Sequence, residues 1–318
     1  MIDVIYDEAA PVTEEMWQYL LERIKRMDTP LIIYHGGCKD GFCAAWVAKT
    51  YFDAAGKETE FFAATYGKEP PDVKGRNVFI LDFSYPREIL VKMWKDAHVI
   101  RVLDHHKTAE LDLRELDFCT FDMHKSGAGL AWDYFHHGKP RPYIVNYVED
   151  RDLWRWALPD SREINSYLQT LPYDFGVWSH VAGENWSKIR DLGIEFMRVR
   201  KDNNKANMNV LMQFTTFDGE EVPIINAPTE GISELMEYML QETKAAFAIA
   251  WRLRNDGRVS VSLRSTAGDG SWDVSQTAQK FGGGGHMNAS GFELSGPRAI
   301  SFLARLIQIE ERSEASNR

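Results

Sequence analysis

The sequence places histidine and aspartate residues at the ends of three short apolar runs in its N-terminal third. The runs are LIIYH at 31–35, NVFILD at 77–82 and HVIRVLDHH at 98–106, and the polar residues are His35, Asp40, Asp82, Asp104, His105 and His106. Carboxylate oxygen and imidazole nitrogen are ligands suited to manganese, iron, cobalt or zinc, and a carboxylate can bridge two ions. These residues therefore predict a site for two divalent metal ions.

The elements that must position these residues form an α/β pattern. Each apolar run has the composition of a buried parallel strand, and helical patterns at 41–53, about 86–96 and about 126–136 separate or follow the runs. We therefore expect a parallel doubly wound sheet, preceded by an amphipathic helix over 13–27. In such a sheet, ligands bind outside the carboxyl ends of the strands, so side chains about 70 positions apart converge on one crevice.

The second half of the chain predicts a smaller domain. A helix over 140–150 leads into the Trp-rich turn RDLWRW, and the polar, Asn-rich residues 201–221 indicate a linker. We thus predict a catalytic domain over 1–200 and an α+β domain over 222–318. Within the α+β domain, the sequence predicts a helix at 229–243, a hairpin at 247–265, a short helix at 273–281, and a strand after a run of four glycines.

Charge and composition exclude several classes of protein. The 318 residues include 37 Lys and Arg against 47 Asp and Glu, a net charge of −10, which disfavours wrapping by a long nucleic acid. No segment approaches the ~18 apolar residues of a membrane helix, and the N-terminus lacks signal-peptide features, so we expect a cytoplasmic protein. The cysteines Cys38, Cys43 and Cys119 form no CxxC pair, which argues against a disulfide framework.

The order of these motifs resembles the DHH phosphoesterase family with its C-terminal DHH-associated domain, which includes RecJ-type exonucleases and nano-RNA and cyclic-dinucleotide phosphodiesterases. The resemblance covers about 31–292. The matching motifs are His35-Gly36-Gly37-Cys38-Lys39-Asp40-Gly41, Leu81-Asp82, Asp104-His105-His106, Val148-Glu149-Asp150-Arg151-Asp152, and Gly282-Gly283-Gly284-Gly285-His286 followed by Ala289-Ser290-Gly291. A glycine–histidine run about 180 residues after Asp-His-His, in the expected order, makes the match specific.

The resemblance implies roles for individual residues. It implies two divalent ions, with manganese favoured, and the metal ligands His35, Asp40, Asp82, His105 and Asp150, among which Asp82 bridges. It further implies that His106 contacts the substrate or leaving group, and we predict catalytic roles for His106 and Asp104. The predicted substrate clamp consists of Arg264, Ser265, Gly283, Gly284, Gly285 and His286. Residues 251–290 carry five Lys or Arg against three Asp, which suits such a clamp.

Two positions leave alternatives open. The family's first motif has two acidic residues, and here Cys38 replaces the first of them. Its thiolate could bind a softer ion such as zinc, its thiol could be a spectator, or one metal could bind weakly. In the fourth motif, either Asp150 or Asp152 could be the metal ligand. His136 and His137 close a predicted helix, where a cation is favoured, so we assign them no metal.

The implied function is a metal-dependent phosphodiesterase of the 3′-to-5′ exonuclease type, acting on short oligonucleotides or cyclic dinucleotides with a water activated by two metals. The sequence leaves three alternatives: a phosphomonoesterase, a polyphosphatase, or a noncatalytic nucleotide-binding protein with an impaired metal site. The expected binding partner is a short oligonucleotide or nucleotide. We expect no membrane association and no binding to long duplex DNA. Homodimer formation is left open.

Overall fold

The computed structural model describes residue 18 and residues 29–228, 231–266, 268 and 270–304. The helix predicted over 13–27 lies, apart from Gln18, outside the described residues. Contacts divide the chain into two compact units. The first comprises the residues up to His105 together with Asp112–Glu149, and the second comprises His106–Leu111 and the residues from Asp150 onward.

The first unit is built on a five-stranded, entirely parallel sheet in the order β2-β1-β3-β4-β5. Its strands are β1 Leu31–His35, β2 Glu60–Ala64, β3 Asn77–Leu81, β4 Val99–Asp104 and β5 Cys119–Phe121. The predicted α/β doubly wound class is confirmed, and β1, β3 and β4 are the three predicted strands. The sequence did not predict β2 and β5, which are short edge strands with partly exposed residues.

This described part of the chain has five helices, and the sequence predicted all of them except the third. The helices are α1 Lys39–Ala54, α2 Arg87–Asp96, α3 Lys107–Leu113, α4 Gly127–Phe135 and α5 Tyr143–Asp152. α1 is buried almost continuously from Asp40 to Ala48 because it packs on β1 and on α4. The chain leaves β1 towards β2 on one side and continues with β3 on the other. The sheet therefore has its topological switch point between β1 and β3, where open α/β sheets bind ligands.

The second unit begins with helices that the sequence did not predict. They are α6 Ser161–Leu168, α7 Phe175–Ala182 and α8 Trp186–Leu211. α6 crosses α8 so closely that a Cβ at Gly193 would lie 1.7 Å from the carbonyl oxygen of Glu163. α8 has 26 residues but is polar, and no helix in the described part of the chain has both the length and the apolar character of a membrane span.

A mixed six-stranded sheet follows in the order β10-β11-β9-β8-β7-β6. The strands are β6 Gln213–Phe217, β7 Glu220–Asn226, β8 Phe247–Leu253, β9 Val259–Ser265, β10 Gly284–His286 and β11 Ala289–Leu294, with helices α9 Ile232–Thr243 and α10 Val274–Gln279. The hairpin β8-β9 confirms the prediction over 247–265. Two apolar clusters cover opposite faces of this sheet: one includes α9 residues, and the other includes α10 residues.

The predicted linker at 201–221 has regular structure in this unit. Its first part is the end of α8, which continues to Leu211, and its second part is β6 with the turn into β7. Polar residues and asparagines occur there because α8 is largely exposed, so composition alone did not distinguish an exposed helix from a loop. The division into domains over 1–200 and 222–318 stays a prediction.

The sequence suggested that His136 is a cation at the end of a helix, and the structure shows a different environment. It is buried, its ring stacks on Trp132 at 4.1 Å, and its Nε2 lies 3.2 Å from the carbonyl oxygen of Val47 and 3.1 Å from Thr50 Oγ1. Burial lowers the pKa of His136 below its usual range. The side chain is therefore neutral at pH 7, because desolvation outweighs the favourable field of the helix end.

We expect His136 to make stability depend on pH. Its folded pKa is depressed, so its contribution is complete above the unfolded pKa of about 6.5 and is lost as the pH falls through the folded pKa. Between pH 7 and pH 5, His136→Gln should therefore lose less thermal stability than the wild-type protein. Thermal unfolding at both pH values measures this difference. His137→Gln, at the exposed neighbouring position, should keep the wild-type loss, and an equal loss in His136→Gln would contradict the assignment.

Candidate metal centre

His35 and Asp40 flank the turn from β1 into α1. His35 is the last residue of β1, and Asp40 lies in the first turn of α1. A Cβ at Gly41 would lie 2.5 Å from the carbonyl oxygen of His35, and Gly37 has a φ of +72°. Glycine at both positions therefore lets α1 begin directly after the strand and brings Asp40 close to the strand end.

The carboxylate of Asp40 is held by the N-terminus of α4. Asp40 is buried, and its two oxygens accept hydrogen bonds from the backbone N–H groups of Gly127 at 2.6 Å and Ala128 at 3.0 Å. Ser126 caps the same helix by accepting from the N–H of Gly129. Backbone donors and the helix dipole both stabilise the charged form of Asp40. The side chain is thus fixed in position.

Asp82 follows β3 at the switch point and contacts two histidines. Its Oδ1 lies 3.1 Å from His105 Nε2, and its Oδ2 lies 3.4 Å from His35 Nδ1. Asp82 is buried and has a φ of +54°, in the left-handed region, which aspartate tolerates better than most residues. Backbone strain of this kind is concentrated at functional sites. The observed φ therefore agrees with a site at this position.

Asp104 fixes the backbone at the end of β4. Its Oδ1 accepts a hydrogen bond from the N–H of His105 at 2.7 Å, and its Oδ2 accepts one from Ser84 Oγ at 2.6 Å. The imidazole of His105 is buried and its Nε2 lies 3.6 Å from Asp40 Oδ2. These bonds favour a positioning role for Asp104. The catalytic role assigned to it from the sequence stays a prediction.

Asp40, Asp82 and His105 form one cluster of potential ligands. Each offers one atom, and these atoms all lie within 4.8 Å of one another. Two buried carboxylates and one imidazole are a donor set that fits Mn²⁺, Fe²⁺ or Zn²⁺. Desolvation of the Tyr66 hydroxyl raises its pKa well above the usual range, and the nearby charges of Asp104 and Asp82 add to this effect.

The predicted clamp residues lie in the second unit. Ser265 is buried; its hydroxyl donates to the carbonyl oxygen of Trp272 at 2.7 Å and accepts from Asn288 Nδ2 at 2.8 Å. Arg264 is buried beside it and donates through Nη2 to Ser233 Oγ at 2.7 Å. Both side chains are therefore held in fixed orientations within this unit.

The glycine run is an ordered strand. Gly284–His286 form β10, which pairs with β11. A Cβ at Gly283 would lie 2.1 Å from the carbonyl oxygen of Gly291, and one at Gly284 would lie 2.9 Å from Thr108 Oγ1. Close packing thus requires these glycines independently of any substrate. His286 ends the strand, and its ring stacks on that of His106 at 4.8 Å, in the same unit.

Comparisons with known proteins identify the fold. No family model matches the sequence. An uncharacterized protein of Acanthamoeba polyphaga mimivirus is 30% identical over 288 residues, which cover 84% of this chain and 68% of the viral protein. The chain belongs to the same family as this viral protein. The DHH domain of a member of a ribosomal protein family matches 92% of this chain and 89% of its own, with a TM-score of 0.51 and 14% identity. The chain has the DHH fold.

A manganese-bound exonuclease RecJ gives a similar match. It covers 90% of this chain and 91% of its own, with a TM-score of 0.50 and 14% identity. The resemblance found in the sequence is therefore confirmed for the fold. Sequence motifs separated by more than 200 residues were sufficient to recognise it, although overall identity to the solved structures is low.

Cys38 departs from the DHH pattern and occupies the N-cap of α1. Its side chain makes no capping hydrogen bond. Among the described residues, the groups of three potential ligand atoms within 4.8 Å of one another do not include its Sγ. This arrangement does not favour the thiolate-ligand alternative over the other two.

Asp150, one of the predicted metal ligands, also has a structural role. In the second unit, its carboxylate accepts hydrogen bonds from the N–H of Ala157 at 3.0 Å, the N–H of Leu158 at 3.3 Å and Ser161 Oγ at 2.5 Å. These bonds close the Trp-rich turn after α5. Asp152, the last residue of α5, is half-buried. The metal role of Asp150, and the choice between it and Asp152, stay predictions.

Glu149 stabilises part of the first unit, although the sequence indicated no role for this residue. It accepts hydrogen bonds from the N–H of Ser126 at 3.1 Å and from Arg141 Nη1 at 3.0 Å, and it is largely buried. It thereby anchors the N-terminus of α4, which holds Asp40. Its place in the fourth DHH motif, directly before Asp150, was the signal that could have identified it.

Gly127 should be intolerant of any side chain. A Cβ there would lie 2.3 Å from the Cβ of Asp82, so either Asp82 or the start of α4 must move. We expect Gly127→Ala to weaken Mn²⁺ binding by about 10- to 100-fold, because the added methyl group displaces either Asp82 itself or the start of α4, which holds Asp40. Isothermal titration calorimetry on metal-stripped protein measures this. Gly183→Ala, where the nearest atom lies 3.6 Å away, is the matched control, and unchanged affinity in Gly127→Ala would refute the expectation.

Proposed function

We propose that the protein is a metal-dependent phosphoesterase. The observation that carries this proposal is the buried cluster of Asp40, Asp82 and His105 at the switch point of a DHH fold. A buried pair of carboxylates is costly unless cations compensate it, and a divalent ion does so with this donor set. His35 lies 3.4 Å from Asp82 and extends the set.

The ligands proposed for two divalent ions are His35, Asp40, Asp82 and His105, with Asp150 as the fifth, and manganese is the proposed metal. When bound, such ions supply positive charge for a phosphate and lower the pKa of a water molecule, which makes it a nucleophile at neutral pH. The chain prepares the site by fixing the orientation of its ligands. Ser84 and Asp104 set the backbone of His105, and the start of α4 holds Asp40.

His106 is the proposed group for proton donation to the leaving oxygen. It follows His105 directly, and its ring stacks on His286 in the second unit, which fixes its plane. Imidazole is the side chain best suited to donating or accepting a proton near neutral pH. His286 and the clamp residues Arg264 and Ser265, together with the strand 283–285, are proposed to contact the substrate.

The proposed substrates are short oligonucleotides or cyclic dinucleotides, cleaved as diesters in the manner of a 3′-to-5′ exonuclease. The fold shared with a manganese-bound exonuclease supports a nucleic-acid substrate. A net charge of −10 disfavours binding to a long strand through backbone phosphates, so the substrate is short. We propose a cytoplasmic location for this activity.

The test is a metal-supplemented screen with product analysis. Metal-stripped protein is combined with Mn²⁺, Mg²⁺ or Zn²⁺ and offered a linear dinucleotide, a cyclic dinucleotide, a nucleoside 3′,5′-bisphosphate or polyphosphate. Release of nucleoside monophosphate from the dinucleotide supports the proposal. Release of inorganic phosphate alone would indicate a phosphomonoesterase or polyphosphatase. Nucleotide binding without hydrolysis under any metal would refute an enzymatic role.

A further inference from the structure

The second unit contains a buried arginine that no carboxylate neutralises at close range. Arg264 lies on β9 and is 7% exposed. Its Nη2 donates to Ser233 Oγ at 2.7 Å, and its Nε has no acceptor among the described residues. Within this part of the chain, no Asp or Glu oxygen lies within 4.0 Å of its guanidinium. Buried arginines are ordinarily paired with an acid, so the unsatisfied donor of Arg264 makes it a candidate for binding an external anion.

Nearby acidic charge is already committed to other arginines. Glu234 Oε1 accepts from Arg151 Nη2 at 2.9 Å and lies 3.8 Å from Arg200 Nη1. Burial, followed by the charge of Arg151, lowers the pKa of Arg264 to about 10. Arg264 is nevertheless a cation at neutral pH. Glu237 is likewise paired with Arg162, so Arg264 shares its acidic neighbours with other arginines.

Besides the hydrogen bond to Ser233, an aromatic ring holds the Arg264 guanidinium. Its Cζ lies 4.0 Å from the ring centroid of Trp154. Trp154 has a φ of +55°, and Trp156, whose ring meets it edge-on at 4.9 Å, has a φ of +53°. Left-handed backbone is unfavourable for a bulky residue and persists only where the surroundings impose it. Both tryptophans lie in the turn that the carboxylate of Asp150 closes by accepting from the N–H of Ala157.

A stacked ring and a carboxylate hold a guanidinium in different ways. A carboxylate neutralises the charge and occupies the in-plane N–H donors, whereas a ring attracts the cation through its face and leaves those donors available. We propose that Trp154 is a positioning residue that keeps Arg264 oriented and charged for the terminal phosphate of the substrate. This inference rests on the proposed function and refines it: Trp154 governs preference for substrates with a terminal phosphate, and not turnover.

The test compares variants of the same turn. Trp154→Leu removes the ring and keeps apolar bulk, Trp154→Gly removes it and suits the left-handed backbone, and Trp154→Phe keeps a ring. Trp156→Leu is the matched control, because it changes the neighbouring left-handed tryptophan, which stacks on Arg162 at 4.3 Å and not on Arg264. Binding of a dinucleotide with and without a terminal phosphate is measured by calorimetry in the Asp82→Asn background, where the substrate should survive the experiment.

We expect Trp154→Leu and Trp154→Gly to weaken binding of the phosphorylated dinucleotide by about tenfold, the scale of a desolvated cation–π contact. Binding of the unphosphorylated dinucleotide should not change, and Trp154→Phe should recover most of the affinity. Adding Arg264→Ala to Trp154→Leu should cost little more than Arg264→Ala alone, because the two residues act as a unit. In otherwise wild-type protein, KM should rise while kcat is retained.

Three results would overturn the inference: equal weakening for both dinucleotides, an equal effect of Trp156→Leu, or additive losses for Trp154→Leu and Arg264→Ala. Its failure is distinct from failure of the proposed function. If phosphate-dependent binding follows Trp154 but no metal supports hydrolysis, the enzyme proposal fails and the positioning role holds. If hydrolysis occurs and the variants behave as wild type, only the positioning role fails.

Discussion

Replacing Asp82 by asparagine should abolish both metal binding and turnover. Asp82 contacts His105 and His35 and is the proposed bridging ligand, so removing its charge should affect both ions. Loss of a supporting residue beside a metal costs about 10- to 100-fold, and loss of a direct ligand should cost more than 100-fold. Asparagine tolerates the φ of +54° at this position, so the variant should fold.

The readout for Asp82→Asn includes a measurement independent of activity. Mn²⁺ at about 100 times its Kd should stabilise the wild-type protein by about 2.7 kcal/mol against unfolding, and the variant by almost nothing. Thermal unfolding with and without Mn²⁺ detects the difference. Asp53→Asn, at an exposed residue paired with Lys49, is the control and should respond as wild type. Retained Mn²⁺ stabilisation in Asp82→Asn would remove Asp82 from the ligand set.

Replacing His106 by alanine should separate metal binding from catalysis. We expect turnover to fall by about 10²- to 10⁴-fold, the usual contribution of a general acid, while Mn²⁺ content stays at the wild-type level. Steady-state kinetics on a dinucleotide and metal analysis of the same preparation give the two values. Removal of the ring also ends its stacking on His286, so the unfolding midpoint is recorded alongside.

The His124→Ala variant provides the comparison for His106→Ala, because it removes an exposed imidazole for which no role is proposed. Loss of metal and activity together in His106→Ala would make His106 a ligand, and not an acid. Unchanged turnover would leave it without a role in the reaction. Only the combination of retained metal and lost turnover supports the proposed function of this side chain.

Much of the first unit could be predicted because its signals are local. Continuous apolar runs define β1, β3 and β4, and polar residues at their ends mark the crevice without any knowledge of the remaining contacts. The hairpin of β8 and β9 was equally evident from two β-rich runs around Asn255-Asp256-Gly257. Edge strand β2 escaped prediction because its apolar run, Phe61–Ala64, is only four residues long and contains no β-branched residue.

Other features depend on contacts that sequence patterns do not contain. Glycine at 127 is required by Asp82, which is 45 positions away in sequence, and the charge of His136 is suppressed by burial against α1. The exposed part of α8 lacks an apolar stripe and was therefore interpreted as a linker. For Gly127 and His136, the deciding interaction joins residues distant along the chain, so no local window could reveal it.

The sequence alone determined the α/β class and the residue types that meet at the crevice, because strand periodicity and chain order dictate which ends of a parallel sheet coincide. Tertiary structure alone decided what each side chain contacts. It gave Asp104 a hydrogen-bonding role beside His105, committed the carboxylate of Asp150 to the turn at Ala157, and placed Trp154 against Arg264. The physical reason is that burial and hydrogen bonding depend on three-dimensional neighbours, whereas secondary structure depends mainly on nearby residues.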